Sequence, residues 1–214
     1  MRNTVIGLGA LIVLLALALF IIPAPERSGT EDDFVVFQEE TRDTQIIIEY
    51  PVLDNKVAAA RLTAIVDGYI ADFNNTAKDI GPSSIGKPYL LIIEDVDFAE
   101  TEKTEGVLLL MYQDFGSAHG ISRLIGINFY KKTGETVSLE GVLDIGGKNL
   151  NSLSEEATVF FEEKLGEGFI KEGAEVADKN FESFFVKNNE IVFFFEASQV
   201  AVQALGPQEY TISY

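Results

Sequence analysis

The stretch YLLIIEDVDFAETEKTEGVLLLMYQDFGSAHGISRLIGINFY, Tyr89 to Tyr130, decides the fold. Two apolar runs of strand length, Tyr89–Phe98 and Val107–Tyr112, flank the acidic turn segment ETEKTEG. A third run, Ile121–Tyr130, alternates toward its end, with Ile127 and Phe129 on one side and Asn128 and Tyr130 on the other. Successive strands joined by turns too short for a crossover pair antiparallel.

Upstream, Phe34–Phe37 and Gln45–Tyr50 read as two further strands, the second closed by Pro51. Val57–Phe73 follows a helical period, with Leu62, Ile65, Val66, Tyr69, Ile70 and Phe73 at three- and four-residue steps and Asn55 as its cap. GPSSIGKP, Gly81 to Pro88, is a loop. Downstream, KKTGE is a hairpin turn leading into a strand at Thr136–Leu139. Ser152-Leu153-Ser154-Glu155 resembles a capping box for a second helix through Val159, Phe160 and Leu165. Strands at Glu182–Val186, Ile191–Phe195 and Tyr210–Tyr214 close the chain. Phe160, Phe161, Phe184, Phe185 and Phe193 to Phe195 are expected in the core. Strand pairs and two helices without regular βαβ alternation define an α+β class, a mainly antiparallel sheet packed by two helices, in one domain over 34–214.

The N-terminus sets the expected compartment. Val5 to Ile22 is an uninterrupted apolar run of 18 residues, about 27 Å of helix and just enough to cross a hydrocarbon core. Arg2 precedes it, while Glu26, Glu31, Asp32 and Asp33 follow, so the positive-inside rule places the rest of the chain outside the cytoplasm. Residues 1–22 are read as a transmembrane signal-anchor and 23–33 as a solvated tether. A cleaved signal peptide is the rival, but its Ala16-x-Ala18 pair lies within the apolar run and Pro25 follows Ala24. Both readings leave residues 34–214 extracytoplasmic.

Composition narrows the chemistry. The chain has 34 Asp and Glu against 16 Lys and Arg, a net charge of −18, so it repels phosphate backbones and nucleic acid is not an expected partner. With no cysteine and one histidine, His119, there is no thiol chemistry and no multi-histidine metal centre, and neither a metal nor a cofactor is expected. The same charge favours encounter with a cationic protein and weakens with salt.

Four blocks in order carry a family resemblance: YPVLDN at Tyr50–Asn55, GSAHG at Gly116–Gly120, INFYKKTGETVSLEGVL at Ile127–Leu143, and EIVFFFEASQVAVQALGPQEYTISY at Glu190–Tyr214. Together they resemble the extracytoplasmic domain shared by the RsiV anti-sigma factor and the N-terminal region of the PdaC peptidoglycan deacetylase. The resemblance covers roughly residues 45–214. Ser117 stands where the family loop has a second glycine, Tyr130 where its hairpin has Asp, and Gln199, Val202 and Gln203 where its last block has Tyr, Pro and an aromatic-like residue. The relatives carry a cytoplasmic sigma-binding segment or a catalytic domain beside this module, and neither is expected here. The resemblance therefore implies a non-enzymatic binding module of the bacterial cell envelope. Its expected ligand is peptidoglycan or a cell-wall hydrolase such as lysozyme, which the RsiV-like relative senses.

Candidate ligand-binding residues are Asp114, Ser117, His119 and Tyr130. Gly116 and Gly120 let the backbone turn tightly around His119, with Asp114 or Ser117 placed to fix its tautomer. The alternative role is structural, a histidine holding a hairpin corner. Tyr130, with Tyr89 and Tyr112, offers an aromatic surface to a sugar in a chain that has no Trp. The alternative function is a cell-wall hydrolase or deacetylase using acidic residues near His119, because Asp95 and Asp97 share a strand face by parity.

Overall fold

In a computed structural model, residues 33–83, 86–117 and 119–214 are described. The expected membrane anchor, and the tether apart from Asp33, lie outside them. Among the described residues no helix is long and apolar enough to cross a membrane.

Two sheets organise the described residues. The first has five strands in the order of the sequence: β1 (Phe34–Glu40), β2 (Thr44–Pro51), β3 (Tyr89–Glu100), β4 (Thr104–Asp114) and β5 (Ile121–Tyr130). All neighbours are antiparallel except β2 and β3, which run parallel because α1 (Lys56–Ile80) carries the chain back between them. The second sheet is a meander of β6 (Phe184–Lys187), β7 (Glu190–Phe195) and β8 (Gln208–Ser213). Two helices precede it, α2 (Leu139–Ile145) and α3 (Leu150–Leu165). The α+β class with a mainly antiparallel arrangement holds.

Local chemistry explains the boundaries. The Asn55 side chain accepts from the amides of Val57 and Ala58, which starts α1. Leu62, Val66 and Phe73 from its apolar stripe are buried on Ile46, Ile48, Leu91, Ile93, Val107, Leu109, Ile127 and Phe129. The Thr101 hydroxyl oxygen accepts from the amides of Lys103 and Thr104, so the β3–β4 turn is tight. Both strands therefore reach into the acidic segment read as a turn. Asn188 and Asn189 take positive φ of 44° and 64° and close the β6–β7 hairpin.

Three expectations are corrected. Among the described residues there are three helices, not two: after a single bridge of Phe129 to Thr136, the Ser138 hydroxyl caps α2 by accepting from Gly141, where a strand was expected. The cap of α3 is Asn149 paired with Ser152, three residues before the expected helix start. Phe160 lies at the surface, with Lys164 above its ring at 5.4 Å. Phe161, by contrast, is fully buried against Phe195 and Phe169.

Extending the hairpin buries an acid. Glu105 is 5% exposed, opposite Glu100 on β3 and Phe129 on β5, and its Oε1 has no hydrogen-bond partner. Desolvation, then Glu100 and Asp54, raise its pKa, and Lys131 opposes them. A carboxyl raised above its unfolded value of about 4.3 stabilises the fold below that pH and loses that contribution as pH rises through the folded value. Glu105→Gln is expected to melt higher than the parent at pH 7 and to match it near pH 4, as calorimetry would record. An unchanged or lower melting temperature at pH 7 would refute this.

Candidate functional site

The β4–β5 loop brings three of the four nominated residues together. Asp114 Oδ1 accepts from the Gly116 amide at 2.8 Å, and Gly116 takes φ of 75°, a conformation that suits glycine. The Ser117 hydroxyl donates to the backbone carbonyl of His119. Gly120 allows close approach of the Tyr112 ring, because a Cβ there would lie 2.3 Å from it. His119 is exposed at this corner. The groups nominated to orient its imidazole thus serve the loop backbone. Tyr130 stands at the far end of β5, nine residues and about 30 Å along the strand.

The acidic pair is also separated. Asp95 lies opposite Leu109 while Asp97 lies opposite Leu108, with the register shifted by a bulge between them. The extra residue sends the two carboxylates to opposite faces of the sheet, against the expectation from parity. Lys187 donates to Asp97 at 3.3 Å. Asp114 lies five to six residues further along β4, about 17–20 Å away, so the acids and His119 do not form one constellation. Among the described residues no group of three or more His, Asp or Glu is placed to hold a metal ion.

A cleft of about 610 Å³ lies elsewhere, along the outer side of β5. Its floor runs from Ser122 to Asn128. Ile65 and Tyr69 of α1 form one wall, and Glu182 to Phe184 with Phe194 to Glu196 form the other. Burial raises the Tyr69 phenol, opposed by Arg123, so the wall carries a neutral hydroxyl at physiological pH. Arg123 pairs with Glu196 at 3.2 Å. Asn128 and Gly126 let the second sheet close onto the first. Asn128 Nδ2 donates to the Phe184 carbonyl at 2.7 Å and its Oδ1 accepts from the Val186 amide at 2.9 Å. The sequence marked β5 only as a strand with alternating faces. Its position at the sheet edge depends on long-range pairing, which periodicity does not encode.

The architecture is that of a two-sheet α+β module with a cleft at the edge of its larger sheet. Residues 144–214, spanning α3 and the whole second sheet, match the family described as a protein of unknown function, DUF3298. The chain is 23% identical over 173 residues to the peptidoglycan-N-acetylmuramic acid deacetylase PdaC of Bacillus subtilis, covering 77% of this chain and 36% of PdaC. It therefore spans about a third of the length of that relative. A crystal structure of a DUF3298 member from Bacteroides fragilis shares the fold, with a TM-score of 0.53 at 18% identity over 85% of this chain and 89% of that one. A DUF3298 protein from Pseudomonas aeruginosa gives 0.48 at 13% identity, over 85% of this chain and 89% of that one. The family match, the PdaC relationship and the Bacteroides fragilis fold together show the resemblance to the domain that PdaC carries.

Proposed function

We propose that this chain is a membrane-anchored, non-enzymatic binding module facing the bacterial cell envelope, with peptidoglycan or a cell-wall hydrolase such as lysozyme as its ligand. The observation that carries the reading is the relationship to a peptidoglycan deacetylase, of which the matching segment is 36%. The separation of Asp95, Asp97 and His119 along and across the sheet weighs against the hydrolytic alternative. A net charge of −18 favours a cationic protein over an anionic wall polymer. The apolar run of residues 5–22 supplies the anchor.

The test is co-sedimentation of the full chain, in detergent micelles, with purified sacculi, with and without lysozyme, at low and moderate salt. Recruitment by wall-bound lysozyme that fades as salt rises is the expected result. Pelleting on sacculi alone would make the polymer the ligand. No pelleting in any condition would overturn the reading.

A further inference from the structure

Sheet order ends at β5, so its outer edge is the place where a sixth strand would add. This chain begins that addition and abandons it. Val137 donates to the Asn128 carbonyl and Tyr130 donates to the Glu135 carbonyl, each at 2.8 Å, around the antiparallel bridge of Phe129 to Thr136. Ser138 then caps α2 and the ladder stops.

The two-residue period of a strand puts the backbone groups of Ser122, Leu124 and Gly126 on the same outward side as those of Asn128 and Tyr130. The Leu124 carbonyl confirms the parity, since it accepts from the Ser183 hydroxyl at 3.0 Å. Among the described residues no further hydrogen bond reaches the outward side of β5 at Ser122, Leu124 or Gly126.

Proline and a bulge, two guards an edge strand carries in itself, are missing from β5. Ile121–Tyr130 contains no proline, its pairing with β4 has no bulge, and its one charge, Arg123, is engaged with Glu196. The edge is half-buried, as the floor of the cleft between α1 and the second sheet. Residues of α1 and of the second sheet line the cleft on either side of this edge. Glu182 and Glu196 stand exposed on one wall, Glu196 in its pair with Arg123, while Ile65 and Tyr69 form the other.

We propose that the outer edge of β5 at Ser122–Gly126 is a strand-addition site for an extended cationic polypeptide segment, continuing the antiparallel ladder begun by Glu135–Val137. A polypeptide repeats its amides and carbonyls at the spacing this floor presents, which a glycan does not. Alternate side chains of the guest face the acidic wall and the apolar wall, so the preferred sequence alternates Lys or Arg with Val, Ile or Thr. The inference rests on the reading of the chain as a binding module, and adds the site and the chemical class of partner.

The test uses the full ¹⁵N-labelled chain in detergent micelles and a pool of blocked peptides of about ten residues, alternating Lys or Arg with Val, Ile or Thr. Amide exchange at Ser122, Leu124 and Gly126 is expected to slow roughly tenfold or more, while Arg123 and Ile125, which face β4, do not change. Ser122→Pro removes one outward amide at an edge that tolerates proline, and is expected to weaken binding about fivefold or more at unchanged melting temperature. Should that variant unfold, peptides N-methylated at alternate residues test the same contacts from the guest's side, and loss of protection is expected. No protection by any peptide of the pool, protection centred on the β4–β5 loop at 114–117, or indifference to N-methylation would overturn the proposal. Sacculus or lysozyme binding without edge protection removes the strand site alone. Edge protection without either removes the wall ligand and keeps the site.

Discussion

Gly126→Val is expected to destabilise the fold by about 3 kcal/mol or more, because the new side chain has nowhere to go. A Cβ at Gly126 would lie 2.0 Å from the Phe184 carbonyl oxygen, a backbone atom of the strand laid across it. Gly126 sits opposite Leu108, and the neighbouring pair, Gly106 opposite Asn128, meets the same strand. A Cβ at Gly106 would reach 2.7 Å from Asn128 Oδ1 and 2.9 Å from the Phe185 ring. Two glycines on one face of adjacent strands thus make the seat for β6. Leu108, Phe185, Val192 and Phe194 fill the space around it. Gly68 is the matching control. It lies inside α1 with nothing within 4 Å of its Cβ position, so Gly68→Ala is expected to stabilise by about 0.5–1 kcal/mol. Denaturant melts of the two variants read the prediction as shifts of opposite sign. Equal, small effects would mean that β6 does not press on the sheet at Gly126.

How much of this was legible in the sequence depends on how far apart the partners lie. The periodic signal of α1 named Leu62, Val66 and Phe73, and all three are buried. The three strands of the deciding stretch are in place, because apolar runs and turn residues are local signals. The bulge between Asp95 and Asp97 is not local. It answers to the β3–β4 register, and a parity argument fails wherever one residue is inserted. Thr136–Leu139 shows two local signals in conflict, since Thr136 and Val137 suit a strand while Ser138 caps a helix. The cap won, and with it the ladder beside β5 ended. The GSAHG corner was readable because its glycines carry the geometry, through the positive φ of Gly116 and the Tyr112 ring against Gly120. The cleft was not readable. Its two walls come from α1 and from residues after 181, more than a hundred positions later.

Asn128 joins the two halves, and its replacement carries the other large expected effect. The residue is 3% exposed, and its carboxamide presents to β6 what a neighbouring strand would present, a donor for Phe184 and an acceptor for Val186 two residues on. β6 is the edge of its own sheet, so these two backbone groups have no strand on that side. In Asn128→Leu, a side chain of similar size leaves a buried carbonyl and a buried amide unpaired. At about 1–3 kcal/mol for each unsatisfied group, the expected loss is about 4 kcal/mol. Packing alone would make the change nearly neutral, so calorimetry separates the two accounts. Asn128→Asp makes the test sharper. Its carboxylate still accepts from Val186 but repels the Phe184 carbonyl, whereas its protonated form donates to that carbonyl as the amide does. Burial and that repulsion raise the folded pKa of such an Asp above its unfolded value of about 3.9. Its stabilising form is therefore complete below that value and lost as pH rises through the folded one. The deficit of Asn128→Asp relative to the parent is expected to shrink on acidification from pH 7 toward pH 4, while that of Asn128→Leu stays constant. Parallel pH profiles for the two variants would show that the carboxamide fills space between the sheets without bonding them.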